Sequence, residues 1–306
     1  MPKLSFDYST IPDLAGRVVL VTGGTGGIGA EVVVELSKHN PSLILFTGRN
    51  ATAADKIIQR ARSGAAPAAA NITFIPCDLA NLASVKSAAS TILSQTNRLD
   101  FFLANAGIMA RPAGLSPDGY EIQMATNHLG HALLTKLLLP LLLHTATLPG
   151  ADVRVLYTSS TAWRGGQLAC DASFKTPMVS PLGRWRRYCN TKLANLLYAR
   201  ELARRYPQLL VFSLTPGVVG TALVTDLGFV DRAVIYVSQV GRVLTPTQGS
   251  WNHLWGISVP REKVVRGAFY EPVGVVMESE KAVAREAEVR ARLWDWTEGE
   301  LAAWME

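Results

Sequence analysis

Two hydrophobic patterns alternate along the 306-residue chain. Short, almost wholly apolar runs, such as residues 17–22 (RVVLVT), are typical of strands buried on both faces of a sheet. Most of the stretches between them have helical character. The apolar runs predict strands at residues 17–22, 42–47, 72–76, 99–104, 152–159, 209–215 and 267–271, and residues 283–304 predict a terminal helix.

Strands that alternate with helices predict an α/β fold with a doubly wound parallel sheet of about seven strands. The sequence has no Pro/Gly/Ser-rich linker, no shift in composition and no internal repeat. With 48% hydrophobic residues, the chain can fill a complete core. Residues 1–306 are therefore predicted to form a single domain, with the strand at 267–271 on one edge of its sheet.

A glycine-rich turn, residues 23–29 (GGTGGIG), follows the first predicted strand and leads into a helical stretch at 30–38. Glycines permit a tight turn and close backbone approach, and the N–H groups that begin a helix attract phosphate. The spacing differs from the commoner Gly-x-Gly-x-x-Gly fingerprint. The alternative is a flexible glycine loop, but the strand before the turn and the helix after it favour a dinucleotide pyrophosphate site.

Tyr188 and Lys192 are four residues apart, which places both on one face of a helix. A phenol ordinarily keeps its proton up to a pKa of about 10, so it is a poor acid–base catalyst near neutral pH. A neighbouring ammonium favours the phenolate and is expected to lower the pKa of Tyr188. Because this spacing also arises by chance on solvated helices, the pair gains its meaning from the other motifs.

Four motifs, in this order, resemble the short-chain dehydrogenase/reductase family over nearly the whole chain. They are Thr22-Gly23-x-x-x-Gly27-Ile28-Gly29, Asn105-Ala106-Gly107, Ser160 and Tyr188-x-x-x-Lys192. Residues 126–131 (TNHLGH) and 191–195 (TKLAN) further resemble the retinol-dehydrogenase-like branch and its fungal relatives. The resemblance implies a Rossmann-type fold that binds a nicotinamide dinucleotide and interconverts a carbonyl and an alcohol.

The charge at the end of the second predicted strand bears on which dinucleotide is bound. Arg49 lies there, and the next acidic residue is Asp55. A site that prefers NAD usually places a carboxylate at this point, whereas a guanidinium can bind the 2′-phosphate of NADP(H). NADP(H) is therefore the predicted cofactor. The alternative role of Arg49 is that of an exposed loop arginine.

The resemblance implies further cofactor contacts at several strand ends. Asp78 would contact the adenine amino group, with a helix N-cap as its alternative role. The main chain of Val219 would contact the nicotinamide carboxamide, Thr221 would offer a hydroxyl, and Asn105 would be structural rather than catalytic. The implied cofactor set is Gly23, Thr25, Gly27, Ile28, Gly29, Arg49, Asp78, Leu79, Asn105, Ala106, Gly107, Tyr188, Lys192, Pro216, Gly217, Val219 and Thr221.

The same resemblance implies catalytic roles. Tyr188 would be the general acid for carbonyl reduction, with its pKa lowered by Lys192 and by the positive charge of oxidised nicotinamide. Ser160 would hydrogen-bond the substrate oxygen where negative charge develops, with Ser159 as its rival and a backbone-bonded hydroxyl as its alternative state. Asn127 would help to hold a water between Lys192 and solvent, or else would lie on a helix surface.

Metal and disulfide chemistry find little support in the sequence. Cys77, Cys170 and Cys189 are too few and too irregularly spaced for a disulfide framework or a zinc site, and they suggest a reducing, intracellular setting. His128 and His131 have a spacing that could ligate a metal from a helix, but no third ligand is near in sequence. No metal is expected.

The net charge of +6 suits an anionic cofactor. Residues 184–187 (RWRR) are predicted to be the solvated approach to the catalytic helix rather than a nucleic-acid patch. The first residues lack the apolar core of a secretory signal. The apolar stretch 132–146 contains Lys136, Pro140 and His144 and is too short to span a bilayer, so it is predicted to be a buried core helix. A cytoplasmic protein with no nucleic-acid partner and no membrane span is predicted.

Substrate choice is predicted to depend on two segments, residues 161–187 and 222–245. The first contributes to a separation of 28 positions between Ser160 and Tyr188, far more than in compact family members, and it is expected to lie over the active-site mouth. The second would act as a lid. Both indicate a bulky, largely apolar carbonyl or alcohol, such as a secondary metabolite, with simple loop packing as the alternative. Four side chains of the first segment could wall an apolar pocket: Trp163, Phe174, Met178 and Trp185.

Two functional classes remain open. One is an NADP(H)-dependent oxidoreductase, and the other is a non-catalytic NADP(H)-sensing regulator on the same fold. The serine, tyrosine and lysine favour the enzyme, because sensing needs none of them. An epimerase or dehydratase is a lesser alternative, since those relatives usually have a different glycine spacing. A homodimer is a further possibility, because family members often pair through their long helices.

Overall fold

The computed structural model describes residues 4–64, 71–177, 179–180, 182–225, 228, 232, 243–277 and 280–305. Its strands are β1 (Val18–Thr22), β2 (Leu43–Gly48), β3 (Ile72–Pro76), β4 (Phe101–Ala104), β5 (Arg154–Thr158), β6 (Leu210–Leu214), β7 (Phe269–Glu271) and β8 (Val275–Val276). Its α-helices are α1 (Gly27–Leu36), α2 (Ala51–Gly64), α3 (Leu82–Gln95), α4 (Ile122–Ala146), α5 (Gly183–Arg205), α6 (Ala222–Thr225), α7 (Pro246–Ser258) and α8 (Glu280–Leu301). Short 3₁₀ turns include Thr161–Gly165 and Ala172–Lys175.

The described strands form one sheet in the order β3-β2-β1-β4-β5-β6-β7-β8. All neighbouring pairs are parallel except β7 and β8, which are antiparallel. The predicted α/β doubly wound sheet is thereby confirmed, although it has eight strands in the described residues rather than about seven. The predicted edge strand at 267–271 is wrong in one respect, because β8 covers β7 and forms the edge itself.

Two apolar layers hold the helices to the sheet, because successive strand residues face opposite sides. Leu20 and Phe102 point into the layer shared with α3, α4 and α5. Val19 and Phe46 point into the layer shared with α1, α2 and α7. All four side chains are fully buried, and each burial contributes about 1.5–3 kcal/mol to the free energy of unfolding. The order of strands reverses between β1 and β4, where open α/β sheets bind ligands at their carboxyl edge.

Helix α4 contains the apolar stretch that the sequence marked at 132–146. The helix is 25 residues long because it begins at Ile122, before that stretch, so by length and composition it could cross a membrane. In its most apolar window, 61% of the residues are buried inside the fold, which is typical of a core helix. Its first part widens into a π-helical turn, Ala125–Leu129, in which the N–H of Gly130 bonds to the carbonyl of Ala125.

Helix α8 packs along α5 through aromatic and charged contacts. Trp294 stacks on Tyr198 with ring centroids 5.1 Å apart, and the guanidinium of Arg205 lies 4.4 Å from the centroid of Trp294. Arg290 of α8 bonds to Glu201 of α5 at 2.9 Å. Burial opposes ionisation of Glu201, but the arginines around it hold its pKa down to about 2. The described part of α8 is therefore fixed to α5 by both apolar and ionic contacts.

Candidate functional site

A cavity of about 650 Å³ lies at the carboxyl edge of the sheet, where the loops after β1 to β6 meet. It brings together residues that lie far apart in the sequence. Two predicted site residues, Gly29 and Asn127, do not line the cavity but contact residues that do. The other predicted residues do line it: Gly23, Thr25, Gly27, Ile28, Arg49, Asp78, Leu79, Asn105, Ala106, Gly107, Ser160, Tyr188, Lys192, Pro216, Gly217, Val219 and Thr221.

The glycine turn has the geometry that phosphate binding needs. Gly23 and Gly27 have φ values of +71° and +55°, a left-handed conformation that favours glycine. A Cβ on Gly23 would also approach Ala106 to 3.0 Å. The N-cap of α1 is Gly26, which has no side chain to cap the helix, so the first N–H groups of α1 can meet an anion. The turn and helix therefore fit a dinucleotide pyrophosphate.

Gly29 contributes to the site through packing. A Cβ at this position would clash with the carbonyl oxygen of Gly23 and lie 2.7 Å from Nδ2 of Asn105. We expect Gly29→Ala to reduce the free energy of unfolding by about 1–3 kcal/mol, because the helix would be pushed off the turn. Gly26→Ala is the matched control, since Gly26 is extended (φ −174°) and a Cβ added there would meet no atom of the described residues within 4 Å. Equal losses of Tm in the two variants, measured without cofactor, would contradict this account.

The ends of β1 and β4 are joined by a chain of buried hydrogen bonds. Thr22 Oγ1 accepts from the N–H groups of Asn105 (2.9 Å) and Ala106 (3.0 Å) and lies 2.8 Å from Nε2 of His131. Nδ1 of His131 donates to the carbonyl of Asn127 at 3.0 Å, so Nε2 of the neutral ring accepts from Thr22. Asn105 Nδ2 donates to the carbonyl of Thr22 at 2.9 Å. These contacts give Asn105 a structural role.

His128 and His131, near the start of α4, are both buried and neutral. Burial lowers the pKa of His131 to about 4 and that of His128 to about 3. His128 Nε2 lies 2.9 Å from Oγ1 of Thr297 on α8. Among the described residues there is no group of three or more histidine, cysteine or acidic side chains that could hold a metal ion. The two histidines therefore help α4 to pack: His131 bonds to Thr22 of β1, and His128 bonds to Thr297 of α8.

Tyr188 lies on α5 with its side chain almost buried, 6% exposed, and it lines the cavity. Burial raises the pKa of Tyr188 to about 12, whereas a hydrogen bond with Ser160 lowers it. The expected lowering by Lys192 therefore does not dominate: Nζ of Lys192 lies 5.5 Å from the centroid of the Tyr188 ring. The phenol keeps its proton at neutral pH, which suits a proton donor.

Lys192 is also buried, and burial lowers its pKa to about 8. Its Nζ donates to the carbonyl of Thr158 at 3.1 Å. Nδ2 of Asn195 donates to the same carbonyl at 3.2 Å. The end of β5 thus holds the ammonium beside the cavity, where it remains largely protonated at neutral pH.

The two serines that follow β5 have different partners. Ser159 Oγ is buried and donates to the carbonyl of Lys192 at 2.7 Å. Ser160 Oγ accepts from the N–H of Ala162 at 3.2 Å and lies close enough to Tyr188 to lower the pKa of the phenol. The geometry favours Ser160 over Ser159 as the hydroxyl that meets a substrate, although a backbone bond to Ser160, the predicted alternative, is present as well.

Asn127 lies in the π-helical turn and joins α4 to two neighbours. Its Oδ1 accepts from the N–H of Ile108 at 2.8 Å, and its Nδ2 donates to the carbonyl of Ile108 at 2.9 Å. Nδ2 also donates to Oγ1 of Thr191 on α5 at 2.9 Å. The side chain is buried, so the helix-surface alternative is wrong. Its predicted water contact remains a prediction.

Arg49 and Asp78 lie toward the other end of the cavity. Arg49 is exposed at its rim, directly after β2. Asp78 accepts from the N–H of Ala80 at 3.0 Å. The N-cap of α3 is Asn81, whose side chain accepts from the N–H of Ser84, so the alternative role of Asp78 as the cap is wrong.

The substrate end of the cavity is apolar, but its wall differs from the predicted one. Trp185 lines the cavity as predicted. Trp163 instead packs edge-on against Phe269, and Phe174 packs against Trp296 at 4.9 Å, so both belong to the core. Met178 lies outside the described residues, as does most of the predicted lid at 222–245. Sequence reasoning missed the lining residues Ile108 and Met109, although they directly follow Asn105-Ala106-Gly107.

These features define a dinucleotide-binding α/β protein with a serine, a tyrosine and a lysine beside its cofactor crevice. The family model described as short chain dehydrogenase matches residues 17–170. A short-chain dehydrogenase/reductase of Aspergillus calidoustus, drtF, is 33% identical, over 98% of this chain and 97% of that one. Human retinol dehydrogenase 14 is 30% identical, over 92% of this chain and 85% of that one. The chain belongs to the short-chain dehydrogenase/reductase family, in its retinol-dehydrogenase-like fungal branch, and is thus an oxidoreductase.

Solved structures share the fold. A crystal structure of a protein from Mycobacterium paratuberculosis has a TM-score of 0.73 and 26% identity, and the match covers 97% of each chain. An NADPH-bound carbonyl reductase from chicken fatty liver has a TM-score of 0.66 and 22% identity, over 91% of this chain and 100% of that one. At 22% identity, the similarity to the carbonyl reductase supports the fold alone.

Proposed function

We propose that the protein is an NADP(H)-dependent oxidoreductase that interconverts a carbonyl and an alcohol on a bulky, largely apolar small molecule. The observation that carries the proposal is that Ser160, Tyr188 and Lys192 line the same cavity as the glycine turn. Apolar lining supports the substrate class: Ile108, Met109, Ala162, Trp185, Leu223 and Val224.

The residues that would hold the cofactor are the glycine turn, Arg49 and Asp78, together with the loop after β6. When bound, the dinucleotide supplies or accepts the hydride. In the direction of reduction, Tyr188 donates its proton to the substrate oxygen while the carbonyl carbon gains the hydride, and an alcohol results. Ser160 stabilises the charge that develops on that oxygen. Lys192 stabilises the phenolate left behind, and Asn127 is proposed to hold the water through which a proton returns.

The alternative proposal, a non-catalytic NADP(H) sensor, would use the same crevice without proton transfer. It is less well supported, because the hydroxyl of Tyr188 is buried beside Ser160 and faces the cavity. We further propose a cytoplasmic location and a role in secondary metabolism, in keeping with the fungal relatives. A homodimer remains a proposal, but one formed through α5 would have to use a face that α8 leaves uncovered.

Arg49→Ala tests the cofactor preference. The guanidinium at the end of β2 is exposed at the cavity rim, where it can approach a 2′-phosphate by charge-assisted hydrogen bonds. We expect the Kd for NADPH to rise about tenfold or more, whereas the Kd for NADH stays the same. Titration calorimetry of both cofactors measures the difference.

Arg62→Ala is the control for the change in net charge, because Arg62 is also exposed but lies on α2 away from the cavity lining. Its Kd for NADPH is expected to match that of the wild type. If the wild type binds both cofactors equally and Arg49→Ala binds NADPH without loss, the preference for NADP(H) is wrong. Consumption of NADPH by the wild type against a panel of ketones and aldehydes tests the oxidoreductase activity itself.

A further inference from the structure

Arg187 immediately precedes Tyr188 on α5, yet only 2% of its side chain is exposed. The sequence predicted residues 184–187 to be a solvated approach to the catalytic helix, and for Arg187 that prediction is wrong. Its Nε lies 2.9 Å from Oε1 of Glu121, whose side chain is also 2% exposed. A buried ion pair gives little net stability, because removing both charges from water is costly. Its position beside the reacting tyrosine suggests another purpose.

The other nitrogens of Arg187 hold two further segments. Nη2 donates to the carbonyl of Arg111 at 2.9 Å, and Nη1 donates to the carbonyl of Pro177 at 3.3 Å. Arg111 lies in the loop after β4, which carries Met109 along the cavity wall. Pro177 lies in the segment 161–187. One guanidinium therefore joins the catalytic helix to both of these loops.

Glu121 connects the pair to α4. Its Oε2 accepts from the N–H groups of Gln123 (3.0 Å) and Met124 (2.8 Å) at the start of that helix. Its own N–H donates to the carbonyl of Phe174 at 2.8 Å. Burial raises the pKa of Glu121, while the two helix N–H groups and Arg187 oppose that rise. Glu121 thus holds the start of α4 through its carboxylate and the segment 161–187 through its backbone N–H.

Adjacent positions of α5 project about 100° apart, so Arg187 faces these loops while Tyr188 faces the cavity. Tyr188 packs against Met109 and Ala110, the two residues before Arg111. Ala110 has a φ of +48°, a left-handed conformation that a non-glycine residue keeps only when its surroundings support it. The bond from Arg187 to the next carbonyl supplies such support.

We propose that the Arg187–Glu121 pair is a positioning clamp that orients Tyr188 and fixes the Met109 wall of the substrate cavity. The clamp rests on the proposed oxidoreductase function, because its effect is on selectivity among carbonyl substrates. Arg187 touches no reacting atom and acts through Tyr188 and the loop after β4. Bulky ketones that reach Met109 depend on the clamp more than small aldehydes that contact only the Tyr188 end.

The test compares Arg187→Met and Arg187→Lys on a series of ketones of increasing size with NADPH. For bulky ketones, kcat/KM is expected to fall about 100-fold in Arg187→Met, because small displacements of reacting groups have effects of this order. For small aldehydes, kcat/KM is expected to fall less, and the Kd for NADPH is expected to stay the same. Arg187→Lys recovers part of the loss, since it keeps the charge but not the fork of donors. Glu121→Gln can still accept hydrogen bonds from both helix N–H groups. It is expected to change the selectivity in the same direction but by a smaller factor.

Arg154→Met is the matched control. Arg154 is likewise buried, forms an ion pair with Asp152 and donates to the carbonyl of Gly256 at 2.9 Å. It lies at the start of β5, at the opposite edge of the sheet from the cavity. This variant is expected to lower Tm without changing the dependence of kcat/KM on substrate size. The proposal is overturned if Arg187→Met, or Arg187→Lys where the former does not fold, shows the same size dependence as Arg154→Met.

A second measurement separates the clamp from the proposed function. Lys175 is 47% exposed and lies two residues before Pro177, so trypsin can report on how firmly this segment is held. Cleavage after Lys175 is expected to be faster in Arg187→Met than in Arg154→Met, both saturated with NADPH. A wild type that reduces no carbonyl would refute the proposed function, while equal cleavage rates in the two variants would refute the clamp.

Discussion

Tyr188→Phe is expected to lower kcat for carbonyl reduction about 1000-fold, a loss typical of removing a general acid. The substitution takes away one oxygen from a side chain that is only 6% exposed, so the wall of the cavity keeps its shape. Ser160 keeps the hydrogen bond that it accepts from the N–H of Ala162. The Kd for NADPH is expected to remain that of the wild type. Steady-state kinetics with NADPH and the best ketone of the panel measure kcat.

Tyr198→Phe on the same helix is the control. The hydroxyl of Tyr198 is buried and has no hydrogen-bond partner in the part of the chain that the structure describes. Its removal is expected to leave kcat unchanged and Tm equal or higher, because an unpaired buried hydroxyl costs free energy. Similar kcat values for the two variants would argue against Tyr188 as the acid. Tight NADPH binding by a wild type that reduces no carbonyl would favour the sensor.

Lys192→Met is expected to stabilise the fold at pH 7 while lowering kcat/KM about 100-fold, within the range for a residue that supports acid–base chemistry. Burial shifts the pKa of Lys192 from 10.5 to about 8. Such a shift means that charging this lysine costs the folded state about 3 kcal/mol. The lost hydrogen bond to Thr158 offsets about 1 kcal/mol, since that carbonyl still accepts from Asn195. A net gain of about 2 kcal/mol follows.

The pH dependence of that gain is the internal control. A lowered pKa means that the unfolded chain holds the proton more tightly, so wild-type stability rises as pH increases from about 8 to 10.5. Above that interval the lysine is neutral in both states. The advantage of Lys192→Met in urea unfolding is therefore expected to disappear by about pH 10.5. An advantage that does not change with pH would mean that burial of the charge is not its cause.

Most of the sheet could be predicted from the sequence, because parallel strands that are buried on both faces consist of continuous apolar runs. The predicted strands match β1 to β7 within about two residues. The missed strand, β8, is only Val275–Val276, and two residues carry no periodic signal. The connection from β7, residues 272–274 (PVG), contains turn-forming residues, but a turn followed by so short a strand does not by itself predict the pairing. Strands this short are recognised from their pairing in the folded structure rather than from a sequence pattern.

The crevice could be located from motifs because each motif follows a strand, and the carboxyl ends of parallel strands meet at one edge. Burial could not be predicted in the same way. Spacing placed Lys192 near Tyr188, but the pKa of the phenol depends more on how much water the fold removes from it. For the same reason, Trp163 and Phe174 could be recognised as apolar but not assigned to the cavity or to the core. The Arg187–Glu121 pair joins positions 66 residues apart, and neither residue has a local signature.

Because α8 is synthesised after α5 and after every described strand, its contacts with α5 form only once those elements have left the ribosome. Until it emerges from the ribosome, Tyr198 and the aliphatic stem of Arg205 have no indole ring to cover them. Folding that proceeds from the N-terminus would therefore leave an apolar strip open on an otherwise assembled molecule. Before α8 docks, this strip is expected to be open to chaperones and to other copies of the chain.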